Sequence, residues 1–299
     1  LAGIGAHLAA AMLALDRLDG PTCRRELDQA GEPSAPVDLW PYIAYLNANY
    51  GLHYSDPVAA LDALDAASAA HGSELAAGGA ADLLLARARA DLLLAAGQGE
   101  RARELLTRPD IDRHATLAVA AARLNLVADQ PATARGTAAN LLWHTTTDSR
   151  ARLELLLIKA AADHRMNDVT GSGETVRQAL AMYRHTGLLR AFVTLPPGLL
   201  TELIANAGDS LTDSELARLA HNRAPFPADI QFIKLTHREL LLCEVLARTV
   251  SRREMADELY VSVNTIRKQL ATLYRKLDVR SRDQALARLA HAGLTPTSA

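Results

Sequence analysis

Apolar positions recur along the first two thirds of the chain at the three-and-four spacing of amphipathic helices, and the recurrences come in pairs. Segment 4–18 is followed across Gly20-Pro21 by 23–30, segment 39–50 across Asp56-Pro57 by 58–70, and segment 80–96 across Gly97-Gln98-Gly99 by 100–107. Segment 114–128 leads through Asp129-Gln130-Pro131 into 132–143, and 149–165 leads through a Gly171-Ser172-Gly173 turn into 174–186. First helices begin near 4, 38, 80, 114 and 149, a step of about 34 to 42 residues. That period predicts stacked helical hairpins, each burying its apolar face on the next. The pattern continues less regularly through 199–205 and 211–221, then breaks where Pro225 and Pro227 mark a linker over 222–233.

Beyond the linker, helix-start signals crowd together. Thr236-His237-Arg238-Glu239 and Ser251-Arg252-Arg253-Glu254 have the form of capping boxes, Ser281-Arg282-Asp283-Gln284 has it with Gln in the acid's place, and Ser262 stands before a fourth start. They predict short helices over 237–248, 252–259, 263–277 and 282–291. The middle two are joined by only Tyr260-Val261-Ser262, which is helix-turn-helix spacing.

Composition supports helix throughout: the 299 residues are 49% hydrophobic, only 4% aromatic and rich in Ala and Leu. The length allows two or three domains: an all-α helical-repeat region over 1–221, the linker, and a four-helix domain over 234–299. No apolar run reaches the roughly 18 residues of a membrane span. Cys23 and Cys243 stand far apart with no partner motif, as expected of buried small hydrophobes in a cytoplasmic protein. Leu1 is not a methionine, so the chain is expected to be part of a longer one.

The net charge of −2 hides an asymmetry. Residues 231–299 carry 12 Lys and Arg against 7 Asp and Glu, and 263–282 carry 6 against 1, while the preceding part is acidic. An acidic body with a basic tail points to phosphate as the tail's partner.

The longest tail helix sorts by face. Ile266, Leu270, Leu273 and Leu277 form the buried stripe, and Asn264, Arg267, Lys268, Ala271 and Arg275 lie roughly opposite. Arg267 and Lys268 flank a small residue, Ala271, so the helix fits a major groove and these three positions meet base edges. Each of the two cations is equally suited to phosphate. Arg253, Asn264, Thr265, Arg275, Lys276 and Arg282 are placed for the phosphate backbone. In the last helix Leu286, Leu289 and Ala290 read as one apolar stripe, leaving Ala285, Arg288 and Ala292 off it; Arg288 and Ala292 are the expected dimer contacts, although the helix could instead only close its own core.

These residues carry a resemblance. Positions 235–239 (Leu-Thr-His-Arg-Glu), 251–256 (Ser-Arg-Arg-Glu-Met-Ala), 259–267 (Leu-Tyr-Val-Ser-Val-Asn-Thr-Ile-Arg), 273–277 (Leu-Tyr-Arg-Lys-Leu), Ser281-Arg282 and Ala285 together resemble the LuxR/GerE-type helix-turn-helix domain without gaps. The resemblance implies a four-helix fold whose third helix reads double-stranded DNA and whose fourth often pairs two copies, hence a dimer on an inverted-repeat operator. Thr249 and Asp278 stand where that family commonly has glycine, and Gln269 where histidine is common. The hairpin over 82–106 looks like a degenerate tetratricopeptide unit, and body plus tail resemble the C-terminal half of MalT-like (LAL) regulators. Those carry an ATPase module upstream, and no Gly-Lys-Ser/Thr phosphate loop occurs here.

Other chemistry is thin. No His-Glu-x-x-His, Cys-x-x-Cys or Gly-x-Ser-x-Gly spacing occurs, so no metal, cofactor or catalytic role is expected. Gly171-Ser172-Gly173 reads as a plain loop or as an anion cradle, and Trp40, Tyr42, Tyr45 and Tyr50 as core or as the wall of a groove for a ligand or peptide. Two functions fit: a DNA-binding regulator whose repeats sense a ligand or protein partner, or a repeat scaffold whose tail dimerises.

Overall fold

The computed structural model describes residues 2–35, 37–71, 75, 78–107, 115–143, 147–230 and 235–291, and every regular element among them is a helix. Two compact units make up the chain: Leu1–Ala96 with Ala102–Ile230, and Gln231–Ala299 with Gly97–Arg101. No described helix is long and apolar enough to cross a membrane.

The first ten helices run in five sequential pairs: α1 (Ala2–Asp16) and α2 (Gly20–Ala30), α3 (Trp40–Tyr54) and α4 (Pro57–His71), α5 (Ala80–Ala95) and α6 (Gly99–Leu106), α7 (Ala115–Val127) and α8 (Pro131–Trp143), α9 (Ser149–Arg165) and α10 (Val169–Thr186). Three of the turns are built alike. Leu18, Asp129 and Asn167 adopt left-handed backbone, with φ of 59°, 55° and 62°. The next N–H in each case, on Asp19, Gln130 or Asp168, reaches back five residues to the carbonyl of Ala14, Asn125 or Asp163 at 2.9 Å. This closure satisfies carbonyls orphaned at the helix end and sends the chain straight into the next helix.

The odd-numbered helices pack on one another in series, α1 on α3, α3 on α5, α5 on α7 and α7 on α9, while α2, α4 and α8 each touch the next odd helix as well. An odd helix is therefore covered on most sides. In α9, Leu153, Leu155, Leu157 and Ile158 are all 1% exposed or less, whereas α8 buries only Ala134, Ala138 and Leu141. A 3-10 helix (Leu189–Thr194) after α10 touches both α9 and α1, and α11 (Pro197–Asn206) and α12 (Asp213–His221) complete the unit. Trp40 is buried and stacks on His71 at 4.1 Å, so it serves the core.

The glycines expected to form a turn before α10 lie inside it: α10 begins at Val169, and the turn is Met166 to Asp168. The Asp168 carboxylate caps the helix by accepting the Gly171 N–H at 2.9 Å. Ser172 is fully buried and donates to the Ala160 carbonyl at 2.9 Å. A side chain at Gly173 would stand 3.0 Å from the Asn206 carbonyl oxygen, so the glycine permits a close approach of α11 rather than a loop. No anion cradle exists there.

The segment marked as a linker is held down as far as Ile230. Phe226 is 5% exposed, Arg165 donates to the Ala228 carbonyl at 2.8 Å, and the Ile230 N–H donates to the Val127 carbonyl at 2.7 Å. Residues 231–234 lie outside the described set.

Charge is buried among the odd helices. Arg87 and Asp91 on α5, Arg123 on α7 and Glu154 on α9 are all buried. Arg87 donates to Glu154 at 2.5 Å, and Arg123 bridges Asp91 and Glu154. Burial alone would push the Glu154 carboxyl up, but Arg87 and Arg123 hold it down at about 2. Buried Asp16, at the end of α1, accepts from Arg150 at 2.8 Å and faces Arg190 at 3.4 Å.

Candidate nucleic-acid interface

The second unit holds α13 (His237–Arg248), α14 (Arg252–Glu258), α15 (Val263–Leu277) and α16 (Arg282–His291). Their starts are fixed locally, by side-chain caps. Thr236 and Glu239 form a full capping box, the Thr236 N–H donating to the Glu239 carboxylate at 2.6 Å. Ser251 caps α14 alone, because Glu254 turns instead to the Thr249 hydroxyl. Ser262 accepts the Thr265 N–H at 3.1 Å, and its hydroxyl pairs with that of Thr265 at 2.8 Å. Ser281 caps α16, and Gln284 reaches back one residue further than a capping box does, to the Arg280 N–H at 2.9 Å.

Between α14 and α15 the chain uses the same left-handed closure as the hairpin turns. Tyr260 has φ 54°, and the Val261 N–H donates to the Ala256 carbonyl at 2.9 Å. The end of α15 repeats it with Asp278 at φ 54° and Val279 reaching the Tyr274 carbonyl. Thr249, the other position where glycine was expected, takes extended backbone (φ −132°), so a β-branched residue sits there without strain.

The stripe Ile266, Leu270, Leu273 and Leu277 is buried against Leu242, Leu246 and Met255. The opposite face of α15 is open: Asn264, Arg267, Lys268, Ala271 and Arg275 are exposed. Thr272 shares that face one turn beyond Lys268; the four-residue steps from Asn264 through Lys268 already place it there, and the sequence reading left it out. Arg267, Lys268 and Arg275, with Arg253 on α14, are exposed cations with no ion-pair partner among the described residues.

Other basic residues are engaged inside the unit. Lys276 donates to Glu239 at 2.7 Å, tying the end of α15 to the cap of α13, and it helps lower the Glu239 pKa against the upward push of burial. Arg282 donates to the carbonyls of Leu246 and Ala247 at 3.0 and 3.2 Å, closing the C-terminal end of α13. Thr265 is half-buried in the cap of its own helix.

The buried side of α16 differs from the stripe expected. Ala285 and Leu289 are fully buried with Leu286 packed beside them, and Ala290 is exposed. The burying pair is one helical turn apart, and the stripe is rotated by one position from the one read by hydrophobicity alone. Arg288 is half-buried, and Ala292 lies outside the described residues.

Comparison with known proteins agrees with this geometry. Residues 234–290 match the family described as bacterial regulatory proteins, luxR family. Over 59 residues the chain is 36% identical to the spore germination protein GerE of Bacillus subtilis (strain 168), a match covering 20% of this chain and 80% of that protein.

Proposed function

The chain belongs to the luxR family of bacterial regulatory proteins, and from that premise we propose that it is a sequence-specific regulator whose α15 enters the DNA major groove and whose helical hairpins sense a signal. The observation that carries the reading is the face of α15. It presents Arg267, Lys268 and Arg275, with no counter-charge among the described residues, around the small Ala271, so backbone and bases can approach closely. Arg267 and Lys268, near the start of the helix, read base edges. Arg253, Asn264 and Arg275 fix register on phosphates, and Lys276 and Arg282 support the fold instead.

Two copies on an inverted repeat, with recognition helices about one DNA turn apart, complete the reading. Arg288 on α16 belongs to the surface between copies. The test is selection of bound sequences from a random duplex pool, followed by footprinting. A symmetric consensus with two protected half-sites is expected. Uniform recovery of all sequences would instead favour a scaffold in which this unit only pairs chains.

A further inference from the structure

Helix α11 packs on α10 and α9, whereas α12 packs on the 3-10 helix that precedes them both. Between α11 and α12 lies a cavity of about 440 Å³. Phe192, Leu195, Leu200, Ile204, Leu211 and Leu219 line it, and all six are buried. Two small exposed residues, Ala205 on α11 and Ala220 on α12, leave room between the helices. Asn222 and Ala224, at the start of the segment docked as far as Ile230, complete the wall. The lining residue Leu216 is 46% exposed, so the cavity opens to solvent beside it. Apolar walls from four segments bound a volume of the size that suits a small organic ligand.

The polar groups decide what kind. Among the described residues Asp209 is the one charged group on the lining, and its carboxylate is committed. It accepts from Arg184 at 2.6 and 3.0 Å and from the Ser210 N–H at 2.7 Å. The Thr201 hydroxyl donates to the Pro197 carbonyl at 3.0 Å, and Ser210 is exposed to solvent. An ion entering this cavity would lose its hydration and meet no free counter-charge, so the occupant is neutral. Asn222 differs from the other polar residues. Its Nδ2 donates to the Arg218 carbonyl at 2.7 Å, which leaves Oδ1 an acceptor with no donor among the described residues. A lone acceptor beside apolar walls is matched by a single donor on the ligand.

We propose that this cavity binds a small neutral alcohol or phenol, and that its occupancy tightens the docked segment 222–230. The apolar body lies between α11 and α12, and the hydroxyl donates to Asn222 Oδ1. Asn222 and Ala224 are part of the wall, so a ligand loses contacts whenever the segment lifts. The coupling is reciprocal: what holds the segment down strengthens binding, and binding holds the segment down. The proposal rests on the sensing role given above and puts its site at the end of the helical unit.

Calorimetric titration of the whole chain without DNA tests it, with 2-naphthol against naphthalene and 2-naphthoate at neutral pH. Saturable one-to-one binding of 2-naphthol is expected, several-fold tighter than naphthalene and at least tenfold tighter than the anion. Ala205→Trp, at an exposed lining position, should block binding while leaving the melting temperature unchanged. Asn222→Ala should bring 2-naphthol down to the affinity of naphthalene. Amide exchange over 222–230 should slow when 2-naphthol is bound. Absence of binding, equal binding of 2-naphthoate, binding that survives Ala205→Trp, or exchange unchanged by the ligand would overturn the proposal. Self-association that Ala205→Trp abolishes, with no 2-naphthol bound, would assign the face to a second copy of the chain instead. Because DNA is absent from the titration, failure here is separate from failure of duplex selection.

Discussion

The guanidinium of Arg123 lies 4.3 Å from the centre of the Phe226 ring. Its Nη atoms bond Asp91 and Glu154, so the ring covers a cation already held on α7 by two buried acids. The aromatic anchor fastens the proline-rich segment to the helical unit just before the second unit begins. In the intact chain 222–230 should therefore resist trypsin. Phe226→Ala removes the ring and should destabilise the docked segment by about 3–5 kcal/mol. New cleavage after the exposed Arg223 is expected under conditions that leave the parent chain whole. An unchanged digest would mean that the ring contributes nothing to docking.

On α15 the expectation is a split between residues of like charge. Arg267→Ala and Lys268→Ala should each cost about 1–3 kcal/mol on the selected site and much less on random duplex. Arg275→Ala should weaken both alike and flatten the dependence of affinity on salt. Lys276→Ala and Arg282→Ala should lower the melting temperature and leave the salt dependence nearly unaltered, since their partners are Glu239 and two backbone carbonyls. Binding isotherms across a salt series separate the three behaviours.

His53 is buried on α3, and burial, reinforced by Arg190, pushes its pKa down from 6.5 to about 3. The folded chain thus keeps the ring neutral while the unfolded chain protonates it below 6.5. Between these two values the unfolded state binds more protons, so stability falls as pH falls, by up to about 1.4 kcal/mol per pH unit from this residue. His53→Leu should flatten the acid limb of a denaturation series between pH 6.5 and 4. A slope unaltered by the substitution would assign the acid sensitivity to the carboxylates.

Asp278 carries a side chain through left-handed backbone, and its negative charge sits at the C-terminal end of α15. Both are unfavourable. Asp278→Gly relieves them at some cost in unfolded-chain entropy, for a net gain of about 0.5–1 kcal/mol. A higher melting temperature for the second unit, followed by circular dichroism, is the expected readout; a lower one would show that the aspartate is compensated.

How much of this was legible in the sequence depended on the range of the interactions. The helices of the second unit begin at the residues marked by Thr236, Ser251, Ser262 and Ser281, because a cap is settled within three residues of chain. Lys276 and Arg282 read as phosphate contacts, and nothing local reveals that each also has a protein acceptor 37 or 36 positions away. Arg87 and Asp91 stand at the four-residue step of any helical ion pair, and only packing against α7 and α9 makes them part of a buried network. Gly171 and Gly173, inside α10, imitate a turn, and the role of Gly173 is set by the Asn206 carbonyl of a later helix.

Asp16 is 134 positions from Arg150, and its bonds to Arg150 and Arg190 join the first hairpin to the last. A linear stack of repeats is held by nearest neighbours and frays inward from its ends. Here the first helix is latched to the ninth, so neither terminus of the stack can peel away without exposing a buried carboxylate or leaving a guanidinium unmatched. Melting should consequently be concerted across all five hairpins: one sharp transition for the unit, with amide protons of α1 exchanging as slowly as those of α9.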